Sequence, residues 1–150
     1  MEAQNIMTKM LACCLPDTPL SEATLAMVEH DCGAIPVVEN KQSMRLLGII
    51  TDRDITCRTV AQGKNPLEMT VKECMSSPVI TVVPEMSLED CCKVMEDNQV
   101  RRIPVVDEKG ICYGIVTQAH VAQHAQESQI ARVLKRVSRP TLEPSRVASR

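Results

Sequence analysis

The segment Ile35-Pro36-Val37-Val38 returns as Ile103-Pro104-Val105-Val106. Each copy is followed by a second matched segment, Gly48-Ile49-Ile50-Thr51 in one case and Gly114-Ile115-Val116-Thr117 in the other. Upstream the copies keep an offset of 68, which pairs Met7 with Met75, Pro16 with Pro84, Leu20 with Leu88 and Met27 with Met95. Between the two landmarks the offset falls to 66, a length difference that a turn between strands absorbs. A chain duplicated in this way is constrained to two similar units. A unit of about 60 residues hides only part of its apolar surface, so each needs its twin to cover one face. Packing about a pseudo-twofold axis would leave two equivalent clefts, the usual place for a ligand.

Within each copy the pattern reads β-α-β-β-α. Ala12 to Leu15 and Val79 to Val83 are short β-type runs that end at a proline. Helices follow, one with Thr18 as N-cap and Pro19 at the first helical position, the other with Ser87 and Asp90 as a capping box. Their apolar faces are Leu20, Ala23, Met27 and Leu88, Cys91, Met95. Residues 34–38 and 102–106 read as the first strands of hairpins, and residues 52–60 and 118–137 as closing helices. The expected division is a first repeat over 5–63, a linker over 64–73, a second repeat over 74–130, and over 131–150 a helix end with a mobile basic tail.

Composition excludes several function classes. With no Trp or Phe and with Tyr113 as the single tyrosine, the chain cannot build aromatic stacking platforms for single-stranded nucleic acid. Any bound base would be gripped by aliphatic walls. The formal charge of −2 conceals a basic end, since six Lys or Arg from Arg132 onward face Glu143 alone. That end reads as a solvated helix face and tail ahead of a phosphate-binding arm. The eight cysteines form no CxxC pair and no Cys/His cluster at zinc-ligand spacing, so they read as reduced core residues of a cytoplasmic protein. No apolar run approaches the ~18 residues of a membrane span.

The chemistry is concentrated in Gly48-Ile49-Ile50-Thr51-Asp52-Arg53-Asp54. Gly48 permits close approach of another group, and Thr51 and Asp54 stand where a helix opens. A carboxylate there can accept from two vicinal hydroxyls, as in a ribose diol, and Thr51 with the first helix N–H groups can meet an anion. The same two residues also satisfy a T-x-x-D capping box that needs no ligand, and the residues alone leave both readings open.

Taken together, the duplication, the element order, the Ile-Pro-Val-Val strands and the Thr-Asp-Arg-Asp stretch resemble a cystathionine-β-synthase (CBS) domain pair, or Bateman module, over residues 5 to 130. The similarity is strongest to stand-alone bacterial pairs of the hypoxic-response-protein type, which share Thr-Asp-Arg-Asp-Ile and Gln-Val-Arg-Arg-Ile-Pro-Val. The resemblance implies an α/β (α+β) fold of two repeats and an adenosyl ligand: AMP, ADP or ATP ahead of S-adenosylmethionine or NAD. It places Asp54 on the ribose, Thr51 on ribose or phosphate, and the backbone of Ala34 and Ile35 on the adenine edge. In the second copy Thr117 keeps its place but His120 replaces the aspartate, and a neutral imidazole cannot supply two acceptor oxygens. That cleft is expected to be empty, weak or specialised. Arg101 and Arg102 stand where the first copy has Gly33 and Ala34, which suggests one composite site with both arginines, aided by Arg53, on the phosphates. The plainer alternative pairs either arginine with Asp97 or Asp107 on the surface.

The expected function is a non-enzymatic ligand sensor that acts in trans on an unidentified protein, with homodimerisation implied by the resemblance. No nucleophile beside a base, no metal cluster and no phosphate loop supports an enzyme. The competing readings are a structural dimerisation module with a decayed nucleotide site, and a thiol redox sensor built on Cys13/Cys14 or Cys91/Cys92. Neither a nucleic acid nor a membrane is an expected partner.

Overall fold

The computed structural model describes residues 1–9 and 12–140. It contains α1 (Ala3–Ile6), β1 (Thr8–Lys9), α2 (Leu20–Glu29), β2 (Ala34–Val38), β3 (Leu46–Thr51), α3 (Asp52–Arg58), α4 (Leu88–Asn98), β4 (Arg102–Val106), β5 (Cys112–Thr117), α5 (Gln118–His124) and α6 (Glu127–Val137). The last ten residues of the expected mobile tail lie outside the described residues; Ser138 to Pro140 follow α6 directly. Two compact units are present, one formed by 12–79 and the other by 1–9 with 80–140. The cut differs from the expected repeats at two points: the first nine residues join the second unit, and 64–79, expected as linker and start of the second repeat, belong to the first.

In the unit holding Asp54, β2 and β3 form an antiparallel hairpin with Ala34 opposite Thr51, Ile35 opposite Ile50 and Val37 opposite Gly48. Every residue of β2 is buried, and Leu20, Ala23 and Met27 of α2 close over it in one core with Val71 and Cys74. The expected first strand contracts to a single parallel bridge, with Cys14 N donating to Pro36 O (3.1 Å) and Val38 N donating to Cys14 O (2.9 Å). Pro36 has no N–H to extend that ladder upstream, which is why a run ending in proline stops at one bridge. The same occurs at Val82, bonded to Pro104 O (3.1 Å) and Val106 N (2.9 Å). Thr18 does not cap α2, because its hydroxyl accepts from Leu15 N (2.9 Å) and Pro19 itself takes the cap position. Residues 64–73 are folded, not extended: the 3₁₀ turn Pro66–Glu68 lies against α2, where Met69 O accepts from Leu20 N (2.9 Å), and the turn Val71–Glu73 is bonded to the residues before it, Val71 N to Thr18 O (2.9 Å).

In the unit holding His120, β1, β5 and β4 form a three-stranded sheet in that order, with Thr8 opposite Ile115 and Arg102 opposite Thr117. The core gathers Ala3, Ile6, Val82, Met95, Ile103, Val116, Val121 and Val133, among others. Ser87 accepts from Asp90 N (3.1 Å), but the Asp90 carboxylate faces Lys93 (3.5 Å), so only half of the expected capping box forms. The helix expected over 118–137 is broken at Ala125, whose backbone is extended. Gln126 N donates to Gln129 Oε1 (3.3 Å), a capping box that starts α6 afresh and lets it pack on α4.

Candidate functional site

At the junction of β3 and α3 the strand hands Thr51 to the helix as its N-cap. Asp54 N donates to Thr51 Oγ1 (3.0 Å) and Thr51 N donates to Asp54 Oδ2 (3.1 Å). The ligand-free capping box is therefore formed. Asp52 N donates to Gly33 O (3.0 Å), which fixes Ala34 beside the cap. Asp54 is only 8% exposed, and its second oxygen is also engaged: Ser76 Oγ donates to Oδ1 (3.2 Å), with Arg58 Nη2 at 3.9 Å. Arg58 also donates through Nη1 to Cys74 O (2.6 Å) and Met75 O (2.7 Å), clamping residues 74–76 against α3. Those residues pair with β3, since Ile49 N donates to Ser76 O (3.0 Å) and Ser76 N to Ile49 O (2.8 Å). Gly48 makes this approach possible, because a Cβ there would stand 2.6 Å from Ser76 O. Arg53 is exposed, and its guanidinium has no hydrogen-bond or ion-pair partner among the described residues.

The second unit repeats the arrangement with different chemistry. Gln118 N donates to Arg101 O (2.9 Å), as Asp52 does to Gly33. Thr117 N donates to His120 Nδ1 (3.0 Å), so that nitrogen is the acceptor and the ring proton sits on Nε2, which faces Thr8 Oγ1 at 3.1 Å. Thr8 occupies the place of Ser76 in the repeat register, and β1 the place of residues 76–77. A Cβ on Gly114 would collide with Thr8 O. Burial, and behind it the neighbouring His124, lowers the His120 imidazole below its ordinary value and keeps it neutral at pH 7. The i,i+4 pair Asp54/Arg58 has thus become His120/His124.

The two arginines expected on phosphate differ in their surroundings. Arg101 Nη2 reaches Val137 O (3.5 Å) beside Gln99 Nε2 on Arg136 O (3.2 Å), both at the carbonyl end of α6. Arg102 is half-buried, and its guanidinium has no hydrogen-bond or ion-pair partner among the described residues. Neither pairs with Asp97 or Asp107 there; Asp107 receives Lys109 N, Ile111 N and the Tyr113 hydroxyl instead. Ala34, Ile35, Gly48, Thr51, Arg53 and Asp54 fall in one unit, and Arg101, Arg102, Thr117 and His120 in the other. The sequence reading missed Ser76, Thr8 and Arg58. The offset of 68 already paired the two hydroxyl residues, and Arg58 lies one helical turn beyond Asp54.

Burial pushes the Cys14 thiol up to about 12 and Cys91 to about 11, so neither of the suggested redox pairs has a thiolate at its buried member at neutral pH. Among the described residues no three or more His, Cys, Asp or Glu side chains are grouped as a metal ion would require. No helix among them is long and apolar enough to cross a membrane.

The CBS domain family matches residues 3–58 and again 71–127. Hypoxic response protein 1 of Mycobacterium tuberculosis is 36% identical over 138 residues, covering 92% of this chain and 94% of that protein. An uncharacterized protein of Methanopyrus kandleri is 40% identical over 108 residues, 72% of this chain, which spans about half of that longer protein (54%). Among solved structures, Hypoxic Response Protein I with two coordinated zinc ions superposes with a TM-score of 0.73 at 36% identity, over 84% of this chain and all of that one. CBSX2 in complex with AMP gives 0.68 at 25% identity, over 83% and 95%.

Proposed function

The chain belongs to the CBS-domain family as a tandem pair, and from that premise we propose that it is a non-enzymatic sensor of an adenosine nucleotide, AMP, ADP or ATP, acting in trans. The observation that carries the reading is the Thr51/Asp54 cap beside the backbone of Ala34. A fixed carboxylate accepts from a diol there, and an apolar strand offers its peptide edge to a base. CBSX2, of the same fold, has been solved with AMP. Arg53, whose guanidinium has no partner among the described residues, is the phosphate contact in this reading. Arg101 supports α6 instead.

A thermal-unfolding screen by circular dichroism with adenosine, AMP, ADP, ATP, NAD and S-adenosylmethionine tests the proposal. A ligand at ~100 times its dissociation constant adds about 2.7 kcal/mol and raises the midpoint by a few degrees. Asp54→Asn keeps the side-chain shape and is expected to remove the ligand-induced rise. If no ligand shifts wild type, the sensor reading fails.

One observation favours a second reading. Asp54 is already fully engaged by Thr51, Ser76 and Arg58, as it would be in a structural pair with no ligand. That reading predicts a concentration-independent dimer in sedimentation, with no midpoint shift from any nucleotide.

A further inference from the structure

Resting on the sensor reading, we propose that Ser76 is a competitive latch: its hydroxyl occupies Asp54 Oδ1 in the ligand-free protein, and a ribose hydroxyl must displace it to bind. Oδ2 of Asp54 accepts from Thr51 N at 3.1 Å, and Oδ1 accepts from Ser76 Oγ at 3.2 Å with Arg58 Nη2 at 3.9 Å. Vicinal hydroxyls need one oxygen each in this bidentate geometry, and the residue is buried to 8% exposure. Oδ2 keeps a lone pair for one of these hydroxyls, while the lone pairs of Oδ1 already face Ser76 and Arg58, so the second hydroxyl competes there. The Thr51 bond belongs to the cap of α3 and cannot yield without opening the helix. The Ser76 bond holds a single hydroxyl on a segment that is retained by other means: two backbone bonds to Ile49, two carbonyls on Arg58, and Ser77 Oγ on Leu47 O (2.7 Å). The hydroxyl can rotate away while its strand stays in place. It also stands on the segment through which the chain leaves this unit, so ligand occupancy at Asp54 is read directly by residues 74–77.

The arrangement is not an accident of one side chain. In the second unit Thr8 Oγ1 stands at the same register position, there accepting from the protonated Nε2 of His120 at 3.1 Å. A hydroxyl facing the third helical residue from the incoming strand is a feature of the duplicated design. It sets how readily that residue is given up to a ligand.

Isothermal titration of the full chain with AMP, on wild type, Ser76→Ala, Ser76→Thr and Asp54→Asn, tests the latch. A hydrogen bond to a charged group is worth enough that removing the competitor should tighten AMP binding on the order of tenfold. Ser76→Thr should bind like wild type because the hydroxyl is restored. A Ser76→Ala protein that binds AMP equally or more weakly overturns the latch and leaves the sensor reading intact, with Ser76 then holding Asp54 ready for ligand. Absence of binding by AMP, ADP and ATP alike in wild type and in every variant overturns both.

Discussion

The unit around Asp54 and the unit around His120 share a frame down to individual hydrogen bonds, yet they put opposite chemistry on it. Each has a hairpin with a proline in its first strand, a threonine that caps the closing helix, a third helical residue that accepts the cap N–H, and an incoming strand whose hydroxyl meets that residue. In one unit the acceptor is a carboxylate with a guanidinium one turn on. In the other it is a neutral imidazole with a second imidazole one turn on. Duplication has preserved what the backbone needs, a cap acceptor, and changed what a ligand would feel, charge and the number of acceptor atoms. A residue pair four apart was exchanged together, which keeps each helix internally consistent.

The comparison breaks most severely at its shared glycines. Gly114→Ala and Gly48→Ala each press a Cβ onto a backbone carbonyl of the incoming strand, and urea unfolding should show losses of about 3 and about 2 kcal/mol. Equal stability to wild type in either variant would mean that the strand is not held there. A smaller difference separates the caps by pH. A histidine whose folded value is lowered binds more protons unfolded than folded, so its stability is complete above the unfolded value of about 6.5 and falls as pH drops below it. Protonation also removes the acceptor that Thr51's counterpart, Thr117, donates to. Between pH 7.5 and 5, wild type should lose stability relative to His120→Asn; parallel curves would place the acid-sensitive group elsewhere. The smallest effect distinguishes the arginines. Arg101→Ala should cost about 0.5 kcal/mol through the carbonyl end of α6 with AMP and adenosine affected alike, and Arg53→Ala should stay within about ±0.5 kcal/mol in the same denaturation assay while weakening AMP more than adenosine.

The repeat, both hairpins and the faces of α2 and α4 were legible because they depend on local periodicity and on a fixed offset between copies. The short edge runs were overread: periodicity finds a strand, but Pro36 and Pro104 remove the N–H that would have extended it past one bridge. The break at Ala125 was missed because two glutamines at capping spacing, with no glycine or proline, look like continuous helix. At the site, Thr51 and Asp54 could be named but their spare acceptors could not be counted. Ser76 and Arg58 reach Asp54 from a strand that local patterning does not place. The assignment of 1–9 to the other unit was hidden for the same reason, since Thr8 and Ile115 are remote in sequence.

That last pairing gives the chain an order of completion as it leaves the ribosome. Residues 12–79 hold every strand of their own unit and can close as soon as they emerge. Residues 1–9 are synthesised before 12–79 but dock after them, because the β5 edge that receives β1 is not synthesised until residue 117. Until then β1 has no partner, and until β1 arrives β5 keeps an open edge. A pulse of protease during synthesis should therefore find residues 1–9 protected later than residues 12–79.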